Sequence, residues 1–368
     1  MPTPIKVPYV DLKGQHALLK KEILSRFSKL LGDGDFILGK EVSLLEEKFS
    51  RYCGAQYAIG VNSGTDALFL AMKALEIGAG DEVITAPNSF LATASSIIAT
   101  GAKVVFADVR EDLNIDPSKI EAKINSRTKA ILPVHLTGKP ADMEPILKLA
   151  KKHNLHIIED AAQSIGTDYR GKRTGAFGIM GCFSLHPLKT LNAAGDGGMI
   201  TTSDEKIYKK ITQMRNIGLK NRTESEIWGF NSRLDSLQAA IVNIKFKHLE
   251  EWIKQRRKNA DYYKKHLSNI VRCPTEEKFE RCAYHLFVIQ TDQRDELQKA
   301  LLEKGIDTKI HYPIPIHLQA CASHLGYKRG DFPVAEKQAE RILSIPIHQN
   351  LTQKQLDLVI QQIQDFFN

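Results

Sequence analysis

The stretch HIIEDAAQS, residues 156–164, contains a short apolar segment that ends in two acidic residues. A second apolar segment, GCFSL at residues 181–185, leads into Lys189. Short, uniformly apolar segments of this kind predict strands that are buried on both faces of a mainly parallel sheet. In open parallel sheets, ligands bind at the carboxyl ends of the strands. Asp160 and Lys189 are therefore candidates for one common site.

The alternation of strands and helices extends outward from this region through about two-thirds of the chain. Further strands are predicted at 58–61, 82–85, 103–107 and 130–134, and helices at 66–74 and 92–100. Apolar strands that alternate with helices are typical of an α/β fold, in which helices cover both faces of a mostly parallel, mixed sheet.

The pattern changes near residue 234. A long helix is predicted over 237–263, followed by a strand at 285–290 and helices at 295–304 and 353–367. We therefore expect two domains. The large one comprises residues 1–245, and a small α+β domain comprises residues 246–368.

Composition narrows the class of function. The chain has 368 residues and a net charge of +8, which favours anionic metabolites. The densest basic run, KQRRK at 254–258, is interpreted as a solvated helix face, because it lacks zinc-finger spacing and an RNA-binding aromatic pattern. We expect no nucleic acid, no membrane span and no metal site.

The cysteines and the N-terminus indicate a compartment. There are five cysteines, an odd number, and they form no Cys-x-x-Cys pair. This pattern favours free thiols in a reducing environment. Residues 1–12 lack the apolar core of a signal peptide, so we expect a cytoplasmic protein.

Lys189 and Asp160 provide the two functional groups that imine chemistry on a pyridine ring requires. A lysine that forms an imine needs a partly dry site near another cation, so that its amine is available near neutral pH. A carboxylate beside a pyridine nitrogen keeps that nitrogen protonated, and the ring then becomes an electron sink.

A phosphate-binding turn is predicted at VNSGTD, residues 61–66, where a strand runs into a helix. Glycine lets the backbone approach an anion, and the helix N-terminus offers free N–H groups. The alternative is a simple N-cap turn in which Ser63 or Thr65 only satisfies the helix. The GDGG turn at 195–198 lacks the context of a dinucleotide-binding fingerprint.

Four segments carry a resemblance to a known family. They are NSGTDAL (62–68), EDAAQS (159–164), FSLHPLK (183–189) and GFNSRLD (229–235), the last followed by QAA at 238–240. With these segments in order, the chain resembles the nucleotide-sugar aminotransferases of the aspartate aminotransferase (type I) fold nearly from end to end. The resemblance implies pyridoxal 5'-phosphate as cofactor. It also implies amino transfer from L-glutamate to a keto-sugar linked to a nucleoside diphosphate.

The resemblance also implies roles for the cofactor-binding residues. Lys189 is the imine-forming catalytic lysine, Asp160 the partner of the pyridine nitrogen and Gln163 the partner of the phenolic oxygen. Phe90 stacks on the cofactor ring, although ordinary core packing is the alternative for this residue. The implied phosphate donors are Gly64, Thr65 and Ser184.

Asn231 resembles an asparagine that reaches the phosphate from the neighbouring subunit, which implies a homodimer with shared active sites. Residues implied to contact substrates are His186, Lys220, Arg233, His311 and Tyr312. For His186 a structural hydrogen bond is an equal alternative, and His135 is expected to be a satisfied loop histidine.

The segment around Lys189, the GDGG turn and the His311-Tyr312 pair resemble the branch that aminates 3-keto sugars for surface glycans or lipopolysaccharide. UDP and dTDP carriers both stay open, as does a 4-keto substrate. Three rival functions are an enzyme that acts on amino acids alone, a non-catalytic cofactor-binding regulator and a dehydratase. The dehydratase branch carries a histidine in place of the lysine.

Overall fold

The structure is a computed structural model that describes residues 4–368. The helices are α1 (Leu12–Asp33), α2 (Lys40–Cys53), α3 (Gly64–Ala74), α4 (Leu91–Ala99), α5 (Met143–His153), α6 (Glu205–Met214), α7 (Ser236–Phe246), α8 (Leu249–Leu267), α9 (Arg294–Glu303), α10 (Pro333–Arg341) and α11 (Gln353–Phe367). The strands are β1 (Tyr57–Val61), β2 (Glu82–Thr85), β3 (Lys103–Phe106), β4 (Thr128–Ile131), β5 (His156–Asp160), β6 (Asp168–Tyr169), β7 (Lys172–Arg173), β8 (Met180–Ser184), β9 (Gly198–Thr202), β10 (Glu280–Arg281), β11 (Phe287–Gln290) and β12 (Ile342–Ile345).

The central sheet has seven strands in the order β1-β9-β8-β5-β4-β2-β3. The strands from β8 to β3 are parallel to one another, whereas β9 runs antiparallel to both of its neighbours. The predicted α/β fold with a mostly parallel, mixed sheet is confirmed. Because β5 and β8 are adjacent and parallel, the segments after Asp160 and after Ser184 leave the sheet at the same edge.

Two hydrophobic clusters cover the sheet. One contains apolar residues of α3, α4 and α5, and the other combines α2 and α7 with β8 and β9. A third cluster packs α8, α9 and α11 around the small β11-β12 sheet, and Val7 from the N-terminus joins it. The domain boundary at 245/246 stays a prediction.

Two details of the predicted 237–263 helix are wrong. The chain forms two helices there, α7 and α8, which are separated at Lys247 and His248. No proline or glycine marks this break in the sequence. Arg256 is also buried rather than solvated, because its guanidinium donates 3.2 Å hydrogen bonds from Nη1 to the carbonyl oxygens of Tyr284 and His285. Lys254 and Lys258 do face solvent.

The cysteines occur as free thiols, and Cys53, Cys182 and Cys282 are buried. From residue 4 to the C-terminus, no helix is both long enough and apolar enough to cross a membrane.

Candidate active site

A cavity of about 330 Å³ lies where β5 and β8 end and α3 begins. It brings together most of the residues predicted from the sequence. Those that line it are Gly64, Thr65, Phe90, Asp160, Gln163, Ser184, His186, Lys189, His311 and Tyr312. These residues come from segments far apart in the chain, and the parallel sheet collects them at one edge.

Asp160 is the last residue of β5 and is 4% exposed. Its Oδ2 accepts a 2.8 Å hydrogen bond from the Thr93 hydroxyl, and its Oδ1 accepts one of 3.2 Å from the Ala162 amide. Burial raises the pKa of Asp160, while these hydrogen bonds and the charge of Lys189 act against the rise. A cation bound beside this carboxylate would favour its ionised form.

Lys189 lies on the loop that follows β8, and its backbone amide donates a 2.8 Å hydrogen bond to the carbonyl of His186. Removal of the amine from water lowers the pKa of Lys189 to about 8, while the charge of Asp160 opposes this shift. A substantial fraction of the amine is therefore unprotonated, and nucleophilic, at mildly alkaline pH.

The turn at residues 61–66 forms an N-cap, and its role in binding phosphate stays a prediction. Ser63 caps α3 by accepting a 3.0 Å hydrogen bond from the amide of Asp66. Gly64 and Thr65 occupy the first turn of α3, where backbone N–H groups lack partners within the helix. A Cβ atom on Gly64 would lie 2.7 Å from Cβ of Ser184, so glycine permits this close approach.

This arrangement fits pyridoxal 5'-phosphate. The cavity contains a helix N-terminus and the Ser184 hydroxyl for a phosphate, a buried carboxylate for a cationic ring nitrogen, and a lysine with a lowered pKa for a carbonyl carbon.

Gln163 and Tyr312 close another side of the cavity. Oε1 of Gln163 accepts a 2.7 Å hydrogen bond from the Thr137 amide, and Nε2 donates to the Tyr312 hydroxyl at 3.3 Å. Phe90 is 55% exposed, with its ring centroid 5.6 Å from that of Tyr312. Phe90 therefore lies at the mouth of the cavity, outside the hydrophobic core.

The histidines differ in environment. Nδ1 of His311 lies 2.9 Å from the Ser344 hydroxyl, and burial lowers the pKa of His311 to about 4. His311 is therefore neutral near pH 7. His186 lines the cavity and also accepts a 3.3 Å hydrogen bond from the Leu188 amide, so its two interpretations are compatible. His135 contacts Glu159 at 3.0 Å in the interior, as expected for a satisfied histidine.

Three predicted residues lie outside this chain's cavity. Lys220 is exposed and forms a 2.6 Å ion pair with Glu226. Asn231 is also exposed, and it pairs through its backbone with Asn216. Arg233 donates a 3.0 Å hydrogen bond to Oδ1 of Asn216.

The sequence did not identify Thr93, Asp196 and His285, which also line the cavity. Asp196 belongs to the GDGG turn, which the sequence relates to the 3-keto branch without giving the Asp196 side chain a role. His285 is 8% exposed and follows Tyr284, whose φ is 47°. Burial, with Lys189 and Arg256 nearby, lowers the pKa of His285 well below its usual value. No local pattern marks Thr93 or His285, because their position depends on the packing of distant segments.

Comparisons with known proteins agree with this geometry. A model of the DegT/DnrJ/EryC1/StrS aminotransferase family matches residues 17–364. A UDP-N-acetyl-3-dehydro-alpha-D-glucosamine 3-aminotransferase of Acidithiobacillus ferrooxidans is 43% identical, over 95% of this chain and 95% of its own. The dTDP-3-amino-3,4,6-trideoxy-alpha-D-glucose transaminase of Streptomyces venezuelae is 39% identical, over 98% and 96%. A pleiotropic regulatory protein of Geobacillus stearothermophilus is 43% identical, over 99% of both chains.

Solved structures are similar over the whole chain. The crystal structure of S. venezuelae DesV superposes with a TM-score of 0.97 at 39% identity and covers 100% of this chain and 99% of its own. NtdA of Bacillus subtilis, solved with bound cofactor PMP, has a TM-score of 0.92 at 31% identity, over 99% and 86%.

Proposed function

The chain belongs to the DegT/DnrJ/EryC1/StrS aminotransferase family, and we propose that it aminates a 3-keto sugar linked to a nucleoside diphosphate, with L-glutamate as the amino donor. Its class is that of a pyridoxal phosphate-dependent sugar aminotransferase of amino-sugar biosynthesis. One observation supports the 3-keto substrate most directly. Two relatives that align over nearly the full length are named for an amino group at carbon 3.

Pyridoxal phosphate, when bound, supplies a carbonyl that takes up the donor's amino group and a ring that withdraws electrons from the donor's α-carbon. With the cofactor bound, the Asp160 carboxylate would stabilise the protonated ring nitrogen. The amine of Lys189 removes the proton from the α-carbon of the donor, and its lowered pKa of about 8 suits this role as a base. During the second half of the reaction Lys189 returns a proton to the carbon that carries the new amine.

The phosphate is proposed to bind the amides at the start of α3 and the Ser184 hydroxyl. His186, His311 and Tyr312 line the remaining wall of the cavity. Because His311 is neutral, it suits hydrogen bonds with sugar hydroxyl and carbonyl groups better than an ion pair with a diphosphate.

A homodimer with shared sites is part of the proposal. Asn231, Lys220 and Arg233 lie outside their own chain's cavity, and we propose that they reach the partner's cavity. The chain segment near them carries exposed apolar side chains, since Trp228 is 98% exposed and Ile217 is 48% exposed. Such a cluster is typical of a surface that another chain covers.

Both UDP and dTDP stay open as the nucleotide carrier, because a diphosphate attracts the same cationic side chains under either base. We propose a cytoplasmic enzyme, supported by the free thiols, whose product enters a surface glycan or lipopolysaccharide.

Two competing functions are tested by the same experiment. A 4-keto sugar would fit the same catalytic residues. A regulatory role is favoured by the name of the G. stearothermophilus relative, although Lys189 and the complete cavity support catalysis.

The test is to load the protein with pyridoxamine phosphate and offer 3-keto and 4-keto nucleotide-sugars separately. The visible absorbance of the aldehyde form of the cofactor should return with the 3-keto sugar, and L-glutamate should then bleach it. Lys189→Ala protein serves as the control that cannot turn over. Recovery with only the 4-keto sugar would overturn the regiochemistry, and no response to any keto-sugar or amino donor would favour the regulatory role.

A further inference from the structure

Lys245 is a buried cation in the last turn of α7, with no side-chain exposure. Its ammonium contacts Nε2 of His16 at 2.9 Å and donates a hydrogen bond to Oδ1 of Asn192. Among residues 4–368, no carboxylate lies within ion-pair distance of it. Burial lowers the pKa of Lys245 to about 8.

A buried ammonium that contacts only neutral acceptors loses its hydration without the Coulombic gain of an acidic partner. The free energy of folding alone therefore gives little reason for a lysine at this position. The second contact of Asn192, the residue that accepts from Lys245, suggests why a lysine is present. Nδ2 of Asn192 donates a 2.8 Å hydrogen bond to the backbone carbonyl of Lys189.

The loop that carries Lys189 is closed at its base by the backbone. The amide of Ala193 donates to the carbonyl of Leu185 at 2.7 Å, and the amide of Leu185 donates to that of Gly197 at 2.8 Å. Inside this loop, Asn192 is the side chain that braces Lys189. Asn192 itself is 2% exposed, and its Oδ1 is held from outside the loop by Lys245.

We propose that Lys245 is a positioning residue for the catalytic lysine: through Asn192, it anchors the Lys189 loop to α7. When this anchor is removed, the loop keeps its backbone closure but the Lys189 carbonyl loses a fixed support. The amine then samples positions away from the reacting carbon. Small misplacements of a catalytic group can cost about 10²-fold in rate, so even a partial loss is measurable.

The first experiment compares Lys245→Met with Lys247→Met in the holoenzyme. Lys247 is an exposed neighbour at the end of the same helix, paired with Glu22 at 2.5 Å. Lys245→Met should lower kcat by about 10-fold or more, with the KM for the amino donor changed by less than about threefold. The control should behave as the wild type. Hydrogen–deuterium exchange should accelerate in the peptide covering 186–193 and remain unchanged in α9 and α11.

A second variant tests the route through Asn192. Asn192→Asp keeps an acceptor for Lys245 and adds an ion pair, but it removes the Nδ2 donor to the Lys189 carbonyl and to Oε1 of Gln15, 3.3 Å away. It should lower kcat to about the level of Lys245→Met while the melting temperature is kept. The double variant should be no slower than the slower single one, because both substitutions remove the same support.

Three results would overturn the proposal: kcat within twofold of the wild type in Lys245→Met, faster exchange throughout the protein, or additive effects in the double variant. The proposal rests on Lys189 being the cofactor-binding lysine. Borohydride labelling of the Lys245→Met and Lys247→Met proteins separates a failure of the proposed site from a failure of the role of Lys245. A label on a lysine other than Lys189 refutes the site. A label on Lys189 with unchanged kcat and unchanged exchange refutes only the role of Lys245.

Discussion

The hydroxyl of Thr93, on α4, donates a 2.8 Å hydrogen bond to Oδ2 of Asp160, at the end of β5. Both side chains are buried, and the Ser89 hydroxyl lies 2.8 Å from the Thr93 hydroxyl. A hydrogen bond donated to a carboxylate stabilises its ionised form. Thr93 therefore opposes the rise in the pKa of Asp160 that burial causes, which favours the proposed pairing of this carboxylate with a cationic ring nitrogen.

Replacement of this hydroxyl tests the relationship. Thr93→Val should raise the pKa of Asp160 and lower kcat about 10-fold, because hydrogen bonds to charged groups contribute about 1.5–3 kcal/mol. Thr93→Ser, which keeps the donor, should stay within about threefold of the wild type. Asp160→Asn, which removes the carboxylate itself, should lower kcat by at least ~10²-fold and serves as the reference for complete loss of this group. Equal rates for the valine and serine variants would show that the hydroxyl is dispensable.

Lys189→Ala should abolish turnover and leave the fold intact. The physical reason is that no other amine in the described cavity lining can form the cofactor imine and then transfer the proton. Borohydride reduction of the wild-type holoenzyme, followed by peptide mapping, should place the cofactor on Lys189. Circular dichroism checks the fold, and a label on a different lysine would refute the assignment.

The pH dependence of cofactor capture follows from the lowered pKa of Lys189, about 8. Only the unprotonated amine attacks the cofactor carbonyl, so the capture rate by the apoenzyme should rise about tenfold per pH unit below pH 8 and level off above it. Stopped-flow absorbance from pH 6 to 10 measures this. A midpoint near 10.5, the ordinary value for lysine, would mean that the amine is hydrated in the apoenzyme.

The lowered pKa of Lys189 also makes the stability of the apoenzyme depend on pH. The folded pKa of Lys189 lies below its unfolded value, so between about pH 8 and 10.5 the unfolded chain binds more protons. The unfavourable contribution of Lys189 to the free energy of unfolding is therefore full below pH 8, and it is relieved as the pH rises to 10.5. Lys189→Met apoenzyme should lose this part of the pH dependence in denaturant titrations.

If Asn231 acts across a subunit interface, an Asn231 variant and a Lys189 variant should complement each other in mixed dimers. Lys189→Ala and Asn231→Ala proteins, each inactive alone, should regain activity when mixed, because each mixed dimer contains one site without a substitution. Subunit exchange is verified with differently tagged chains. If exchange occurs and no activity returns, both residues act within one subunit's site.

Much of the candidate active site could be predicted from local sequence. Asp160 ends one short apolar strand and Lys189 follows another, and neighbouring parallel strands place such residues at one edge of a sheet. The turn at Gly64 was predictable for a similar reason, since a glycine between a strand and a helix leaves the helix amides open to an anion.

Two features of the C-terminal third were not predictable from local patterns. The break between α7 and α8 carries no proline or glycine, so periodicity alone joined the two helices. Arg256 lies in a basic run that is typical of a solvated helix face, but in the interior its guanidinium donates hydrogen bonds to the carbonyls of Tyr284 and His285.

Strand periodicity and short motifs are local properties, and they were enough to predict the α/β class, the family and the two residues proposed to carry the chemistry. Which side chains support those residues depends on how distant segments pack in the folded chain. Thr93 reaches Asp160 from a helix 67 positions earlier, and Lys245 reaches the Lys189 loop through Asn192 from 53 positions later. Such contacts depend on strand order and helix packing, which bring together polar groups that must satisfy one another once water is excluded.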